Sequence, residues 1–152
     1  HDEIAKYTTK ISLPGPTGES NSIRYKPKGT ALCLGPTAID ALKQTLLALV
    51  LGNSVVSLIK EDEYNSLITL GFGKESIFRL VNGPSLKLMK SESYKVILFF
   101  GNLMSVEKLI VNQRSAITPV MSSLYETWQL VNERVITEDT TASGGNANLL
   151  AL

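Results

Sequence analysis

The chain has 152 residues, of which 43% are hydrophobic and 19% are charged, a balance typical of one globular domain with a core of its own. Fifteen Lys and Arg residues against fourteen Asp and Glu residues leave a net charge of +1, which argues against a nucleic-acid or acidic-membrane partner. One cysteine and one histidine exclude an internal disulfide and argue against a His-dependent triad or a His-ligated metal. We therefore expect no metal in this chain.

The two ends of the sequence set expectations about its context. The first residue is His1 rather than Met, so we expect a piece of a longer chain. No apolar run reaches the ~18 residues that a membrane span needs. No basic segment followed by an apolar one opens the sequence, so no secretory signal is expected. A cytoplasmic location follows from these expectations.

Residues 1–28 are predicted to be an entry arm and linker. Residues 11–13 favour a short strand, and residues 14–18, Pro-Gly-Pro-Thr-Gly, favour a turn-rich loop. Residues 23–28 alternate between apolar and polar side chains, which is typical of a strand with one exposed face. Pro27 places that strand at a sheet edge.

The stretch after the arm predicts a strand, a helix and a second strand. Residues 30–34 are an apolar run closed by a Gly-Pro pair, as in a strand buried on both faces. Thr37 can cap a helix over residues 38–51, with Asp40 three residues on to complete the cap. Residues 54–59 contain a Val-Val pair and favour a second strand. This order predicts a parallel unit with a crossover helix.

The fold class follows from this unit and from the elements after it. The helix face predicted to pack on the sheet consists of apolar residues at helical spacing: Ile39, Leu42, Leu46 and Leu49. Further strands are predicted at 77–81, 95–100, 116–121 and 135–141, and further helices at 64–70, 85–90 and 105–113. We predict an α/β domain over residues 29–135, an open, mostly parallel Rossmann-like sheet with helices on both faces.

Two positions could carry chemistry. The Gly35–Thr37 turn follows a strand and precedes a helix, the usual place for a phosphate in α/β sheets. Pro36 lacks an N–H group, however, and only one glycine is present, so a plain turn is the simpler interpretation. Cys33 lies within the apolar strand and is expected to be a buried hydrophobic residue rather than a nucleophile.

Several segments resemble the C-terminal domain of the proline utilization A (PutA) family. They are residues 14–21 (PGPTGESN), 27–29 (PKG), 32–35 (LCLG), 130–134 (LVNER) and 139–150 (DTTASGGNANLL). The resemblance implies a truncated aldehyde-dehydrogenase cofactor domain followed by a tail motif, here residues 136–152. Residues 99–102 are Phe-Phe-Gly-Asn, where a working aldehyde dehydrogenase has Phe-Thr-Gly-Ser, so the resemblance implies a scaffold that has lost catalysis.

The resemblance also implies a function in proline catabolism. PutA enzymes join an FAD-dependent proline dehydrogenase domain to an NAD-dependent L-glutamate-γ-semialdehyde dehydrogenase domain through an internal tunnel. The C-terminal domain is expected to cover the semialdehyde dehydrogenase domain, within one chain or across a dimer, and to help seal the tunnel. No cofactor is expected in this chain, whereas the parent would use FAD and NAD. The parent would be cytoplasmic or peripheral at the inner membrane through its proline dehydrogenase domain.

The tail is the predicted docking segment. Its glycines permit close backbone approach, its amides donate and accept hydrogen bonds, and its leucines can fill an apolar groove. The predicted docking residues are Thr140, Thr141, Ser143, Gly144, Gly145, Asn146, Asn148, Leu149 and Leu150. A Gly-rich tail considered by itself is equally typical of a loose terminus. An alternative function is a dinucleotide-binding module that uses Gly35, Thr37 and Lys60.

Overall fold

The computed structural model describes residues 2–81, 94–102, 104 and 118–140. The chain divides into two compact units, one formed by residues 1–26 with 133–152 and the other by residues 27–132. The predicted helices at 85–90 and 105–113 lie outside the described residues.

The larger unit contains a five-stranded parallel sheet. Its strands are β3 (Thr30–Cys33), β4 (Ser54–Ser57), β5 (Ile77–Arg79), β6 (Val96–Leu98) and β7 (Val120–Met121). Their order in the sheet is β5-β4-β3-β6-β7, and all four neighbouring pairs are parallel. The predicted α/β class with an open parallel sheet is therefore confirmed.

Two helices connect the strands on one side of β3. Helix α2 (Ala38–Val50) joins β3 to β4, which pair in register from Thr30 with Ser54 to Cys33 with Ser57. Helix α3 (Glu61–Thr69) and a 3₁₀ turn at Lys74–Ser76 join β4 to β5. The predicted strand–helix–strand unit is thus present, with α2 beginning at the Thr37 cap.

The central strands are apolar because the sheet buries both of their faces. Val96, Ile97 and Leu98 of β6 are completely buried, as are Ala31, Leu32 and Cys33 of β3. One continuous core cluster comprises Leu32, Leu34, Val56, Leu80, Tyr94, Ile97 and Phe99. The hydrophobic core of the larger unit therefore lies beside β3 and β6.

The predicted inward face of α2 is confirmed at Leu49 but wrong at Ile39. Ile39 is 64% exposed, and Leu42 and Leu46 are only partly buried. The buried side contains Leu47 and Leu49 together with small and polar residues: Ala41, Gln44, Thr45 and Ala48. Small side chains let the helix approach the strands, and the polar ones hydrogen-bond to them. The apolar periodicity alone therefore indicated the wrong phase.

The smaller unit has a three-stranded sheet. Its elements are α1 (Asp2–Thr8), β1 (Ile11–Leu13), β2 (Glu19–Pro27) and β8 (Val131–Asp139), with the strands in the order β1-β2-β8. β1 and β2 are antiparallel, with Ile11 opposite Ile23. The rings of Tyr7 and Tyr25 meet edge to face, with their centroids 4.9 Å apart.

Candidate functional site

The carboxyl edge of the parallel sheet is the candidate site, because loops at this edge carry the ligand sites of open α/β folds. The loop after β3 contains Gly35, and the loop after β4 contains Lys60. β3 and β4 are neighbours, so the structure places these two predicted residues at the same edge. Thr37 also lies here, at the start of α2.

The Gly35 turn is held from inside the protein by Gln44. The Gly35 N–H donates to Gln44 Oε1 at 3.0 Å, and Gln44 Nε2 donates to the Gly35 carbonyl at 2.7 Å. The Phe100 N–H donates to the same carbonyl at 2.9 Å. Gln44 is completely buried. The Gly35 N–H, which a phosphate would need, is therefore already in use.

Two glycines of this edge have little room for a side chain. Gly35 has a φ of +94°, in the left-handed region that other residues rarely adopt. A Cβ atom at Gly101 would lie 3.1 Å from Pro36 Cγ and 3.0 Å from the Phe99 ring. The loops after β3 and β6 therefore touch, which narrows the space at the centre of the edge.

Thr37 is occupied by its role as the helix cap. Its Oγ1 accepts the Asp40 N–H at 3.1 Å and donates to Asp40 Oδ2 at 2.6 Å. The first bond confirms Thr37 as the helix cap. The second differs from a capping box, in which the carboxylate accepts the backbone N–H of the cap residue and not its hydroxyl. The two bonds also place a carboxylate beside the first turn of α2, where it offsets the positive end of the helix and opposes a second anion.

Lys60 precedes α3 and has an exposed side chain. Its backbone N–H donates to Glu63 Oε2 at 2.7 Å. Glu61 forms an ion pair with Arg79 at 3.3 Å. The predicted nucleotide residues thus share one edge, but acidic side chains accompany each of the two helix starts.

Cys33 is the only cysteine, and it is completely buried in β3. Burial away from water raises the pKa of its thiol from 9.0 to about 12, and a hydrogen bond with Thr45 opposes that rise. A thiol with this pKa stays protonated at neutral pH, and the thiolate is the nucleophile. No group of three or more His, Cys, Asp or Glu residues suited to a metal lies in the described parts of the chain.

Of the predicted tail, residues 136–140 are described: residues 136–139 belong to β8, and Thr140 is the first of the predicted docking residues. The Thr140 N–H donates to the Gly18 carbonyl at 2.8 Å, directly after β8. The remaining predicted docking residues, Thr141, Ser143, Gly144, Gly145, Asn146, Asn148, Leu149 and Leu150, lie outside the described residues. Their docking role stays a prediction.

Comparison with known proteins gives the chain its relatives. No protein-family model matches it. The bifunctional protein PutA of Salmonella typhimurium is 27% identical over 158 residues, which cover 99% of this chain and 12% of that protein. The PutA of Escherichia coli K12 is 25% identical over 162 residues, covering 100% of this chain and 12% of that protein.

The chain is therefore similar to PutA along its whole length. It spans 12% of the length of both of these curated relatives. A mutant of Bradyrhizobium japonicum PutA has the same fold, with a TM-score of 0.64 and 22% identity, over 75% of this chain and 13% of that chain. The resemblance to PutA that the sequence motifs indicated is confirmed.

The fold is also that of aldehyde dehydrogenases. Betaine aldehyde dehydrogenase of Staphylococcus aureus in complex with NAD⁺ matches with a TM-score of 0.59 and 15% identity. The match covers 78% of this chain and 26% of that enzyme. Both structure comparisons therefore support an aldehyde-dehydrogenase-like fold for this chain.

Sequence reasoning missed the residues that organise the edge. Gln44 was predicted only as part of a helix, yet it fixes the Gly35 turn. A signal was present, because a long amide in an otherwise apolar helix needs partners when it is buried.

No helix in the described part of the chain is long and apolar enough to cross a bilayer.

Proposed function

We propose that this chain is the non-catalytic C-terminal domain of a PutA-type bifunctional enzyme that converts proline to glutamate. It covers the semialdehyde dehydrogenase domain and helps to seal the tunnel between the two active sites. The observation that carries the proposal is similarity to PutA over 99% of this chain, which amounts to 12% of that protein. A segment of that size, with the fold of a cofactor domain, is suited to a supporting role within a larger enzyme.

The chemistry of the site supports the proposed lack of catalysis. An aldehyde dehydrogenase needs a nucleophilic cysteine, and the Cys33 thiol is buried with a pKa of about 12. The match to betaine aldehyde dehydrogenase covers only 26% of that enzyme. FAD and NAD would belong to other domains of the parent, and this chain would bind neither. We expect no dehydrogenase activity from the chain alone.

The tail would contact the semialdehyde dehydrogenase domain, within one chain or across a dimer. The Thr140–Gly18 hydrogen bond fixes the point at which the tail leaves the three-stranded sheet. Beyond it, the glycines, asparagines and paired leucines offer close backbone approach, hydrogen bonds and an apolar anchor. No nucleic-acid or membrane contact is proposed for this domain.

The test is tail removal from the full-length parent. A deletion beginning at residue 136 would cut β8, which ends at Asp139, so a shorter deletion of residues 141–152 is the sharper variant. We expect a lag before NADH appears from proline, with the activity of each separate active site retained. Leu149→Ser with Leu150→Ser is a milder second variant. Normal channelling after the 141–152 deletion would refute the sealing role.

A second candidate function is a dinucleotide-binding module. The observation in its favour is the shared fold with a betaine aldehyde dehydrogenase that binds NAD⁺, together with the exposed Lys60 at the same edge as the Gly35 turn. Millimolar NAD should then raise the melting temperature of the chain, because a ligand that binds only the folded state stabilises it. Lys60→Ala should reduce that shift. An unchanged melting temperature would exclude this function.

A further inference from the structure

The loop that joins β7 to β8 presents large apolar side chains to solvent. Tyr125 is 85% exposed, Trp128 is 60% exposed and Leu124 is 40% exposed. Trp128 is the only tryptophan of the chain. Tryptophan and tyrosine are the residues most enriched at the energetic centres of protein interfaces. Residues 124–128 are called the aromatic loop below.

Hydrogen bonds within the loop fix its shape without help from the aromatic rings. The Ser122 N–H and Gln129 Nε2 donate to Glu126 Oε2 at 2.9 and 3.1 Å. The Glu126 N–H donates to the Ser123 carbonyl at 3.2 Å, and the Gln129 N–H donates to the Glu126 carbonyl at 2.9 Å. A loop that is ordered before binding loses little conformational entropy on binding. Its exposed rings can therefore contact a partner at a small entropic cost.

The end of the loop is anchored in the core. Leu130 is completely buried, and its carbonyl accepts hydrogen bonds from the Lys28 N–H at 3.1 Å and from Asn53 Nδ2 at 3.0 Å. Trp128 lies two residues earlier, on a 3₁₀ turn. The indole is therefore held on a rigid support, as a binding residue needs to be.

The loop follows β7, the edge strand beside β6, and begins at the carboxyl edge of the sheet. The exposed area of its three apolar side chains is on the order of 400 Å², given the 150–250 Å² that one aromatic side chain buries. A stable complex between separate proteins buries about 800 Å² on each partner. The aromatic loop alone is therefore too small to hold two copies of this chain together.

We propose that the aromatic loop docks into an apolar cleft on another domain of the longer parent chain, with a hydrogen-bond acceptor at the rim for the indole N–H. This inference rests on the proposed function and names a surface through which the domain would bind. The length of the relatives indicates which partner would bind the loop. This chain corresponds to only 12% of each relative, and the other domains of such a parent would be covalently tethered to it. Tethering gives an effective concentration near the millimolar range, so a small contact suffices.

The test is hydrogen–deuterium exchange on the full-length parent and on this chain alone. Peptides that cover residues 122–130 should exchange more slowly in the parent than in the isolated chain, because docking excludes water from the loop. Trp128→Ser in the parent should speed exchange of those peptides, and of the peptides that form the cleft, by at least about tenfold. Tyr125 is more exposed than Trp128, so Tyr125→Ser is a second variant that should retain the fold.

Phe78→Ser is the matched control, since Phe78 is an aromatic residue, 51% exposed, on β5 at the opposite edge of the sheet. It should leave exchange at residues 122–130 unchanged. Equal exchange in the parent and the isolated chain would overturn the proposal, as would equal effects of Trp128→Ser and Phe78→Ser. Protection that appears in the isolated chain and grows with its concentration would indicate a second copy as the occupant and would also overturn it.

The tail deletion separates this inference from the proposed function. Normal channelling without residues 141–152, with the aromatic loop still protected, would refute the tunnel-sealing role and leave the docking surface standing. A lag in channelling together with an unprotected loop would support the sealing role and overturn the docking surface.

Discussion

Single side chains decide what the carboxyl edge of the sheet can do. Gln44 accepts the Gly35 N–H and donates to the Gly35 carbonyl, so the turn is closed from inside. Thr37 and Asp40 satisfy one another at the start of α2. A phosphate at this position would compete with bonds that the fold already makes. The edge therefore has the strand order of a ligand-binding edge in open α/β folds, but its hydrogen-bonding groups serve internal contacts.

The Cys33 thiol predicts a pH dependence of stability. Its pKa rises from 9.0 to about 12 on folding, so between these values the unfolded chain loses a proton that the folded chain keeps. Stability from this residue is complete below pH 9 and is lost as the pH rises toward 12, at up to ~1.4 kcal/mol per pH unit. The measurement is the difference from Cys33→Ala, which removes the thiol and keeps every other titratable group.

Denaturant unfolding of both proteins from neutral pH to about pH 10.5 provides the check. The stability advantage of the wild type over Cys33→Ala should be constant up to about pH 9 and should shrink above it. A difference that stays constant over the whole range would contradict a protonated, buried thiol. Alkylation offers an independent readout, since Cys33 should react slowly in the folded chain and quickly in denaturant.

Secondary-structure elements show what the pattern of residues predicts well and where it fails. The β3–α2–β4 unit follows from an apolar run, a capping threonine and a second apolar run, and it is present as predicted. The sequence pattern does not predict which face of α2 is buried, because contacts with the strands determine that face. Thr45, for example, is on the buried face, where its hydroxyl forms a 2.6 Å hydrogen bond with the hydroxyl of Ser57 in β4, twelve residues away in the sequence.

The same limit applies to the candidate site. The location of Gly35, Thr37 and Lys60 at one sheet edge could be predicted, because it depends only on strand order and direction. The hydrogen bond from the Gly35 N–H to Gln44 could not be predicted, because it depends on which face of α2 packs on the sheet. The aromatic loop was missed for a similar reason. Whether Trp128 is buried or exposed is decided by the turn that Glu126 organises.

Ile39→Glu tests the observed rotation of α2. Ile39 is 64% exposed in the first turn, where a negative charge interacts favourably with the helix dipole. We expect a change in unfolding free energy within about 0.5 kcal/mol of zero, measured by chemical denaturation of the isolated chain. Ala41→Glu is the contrast, because Ala41 is 1% exposed and a buried unpaired charge should prevent folding or cost several kcal/mol. A loss of ~2 kcal/mol or more for Ile39→Glu would restore the face predicted from periodicity.

At the scale of the whole molecule, one buried side-chain amide connects the beginning and the end of the parallel-sheet unit, residues 27–132. Asn53 Oδ1 accepts the N–H groups of Lys28 and Gly29 at 2.9 and 3.1 Å, just before β3 begins. Asn53 Nδ2 donates to the carbonyl of Leu130 at 3.0 Å, 77 residues away. The first and last segments of residues 27–132 are thus bonded to the same side chain, which lies at the end of α2.

Asn53→Ala should therefore destabilise this unit more than its size suggests. Asn53 is 2% exposed, so its removal leaves the Gly29 N–H without its acceptor in a poorly hydrated place. The Lys28 N–H and the Leu130 carbonyl still bond to each other, and the Ala48 carbonyl still accepts the backbone N–H of residue 53. One buried group without a partner costs about 1–3 kcal/mol, and a loss of about that size is expected. Asn53→Asp keeps an acceptor for Gly29 but places an unpaired carboxylate in a buried site beside the Ala48 and Leu130 carbonyls.

Chemical denaturation near pH 7 should therefore find Asn53→Asp at least as unstable as Asn53→Ala, whereas Ser54→Ala, a neighbouring exposed position, should be close to the wild type. If Asn53→Ala were as stable as Ser54→Ala, the two ends of the unit would be held by the sheet alone, and the support of the aromatic loop through Leu130 would lose its basis.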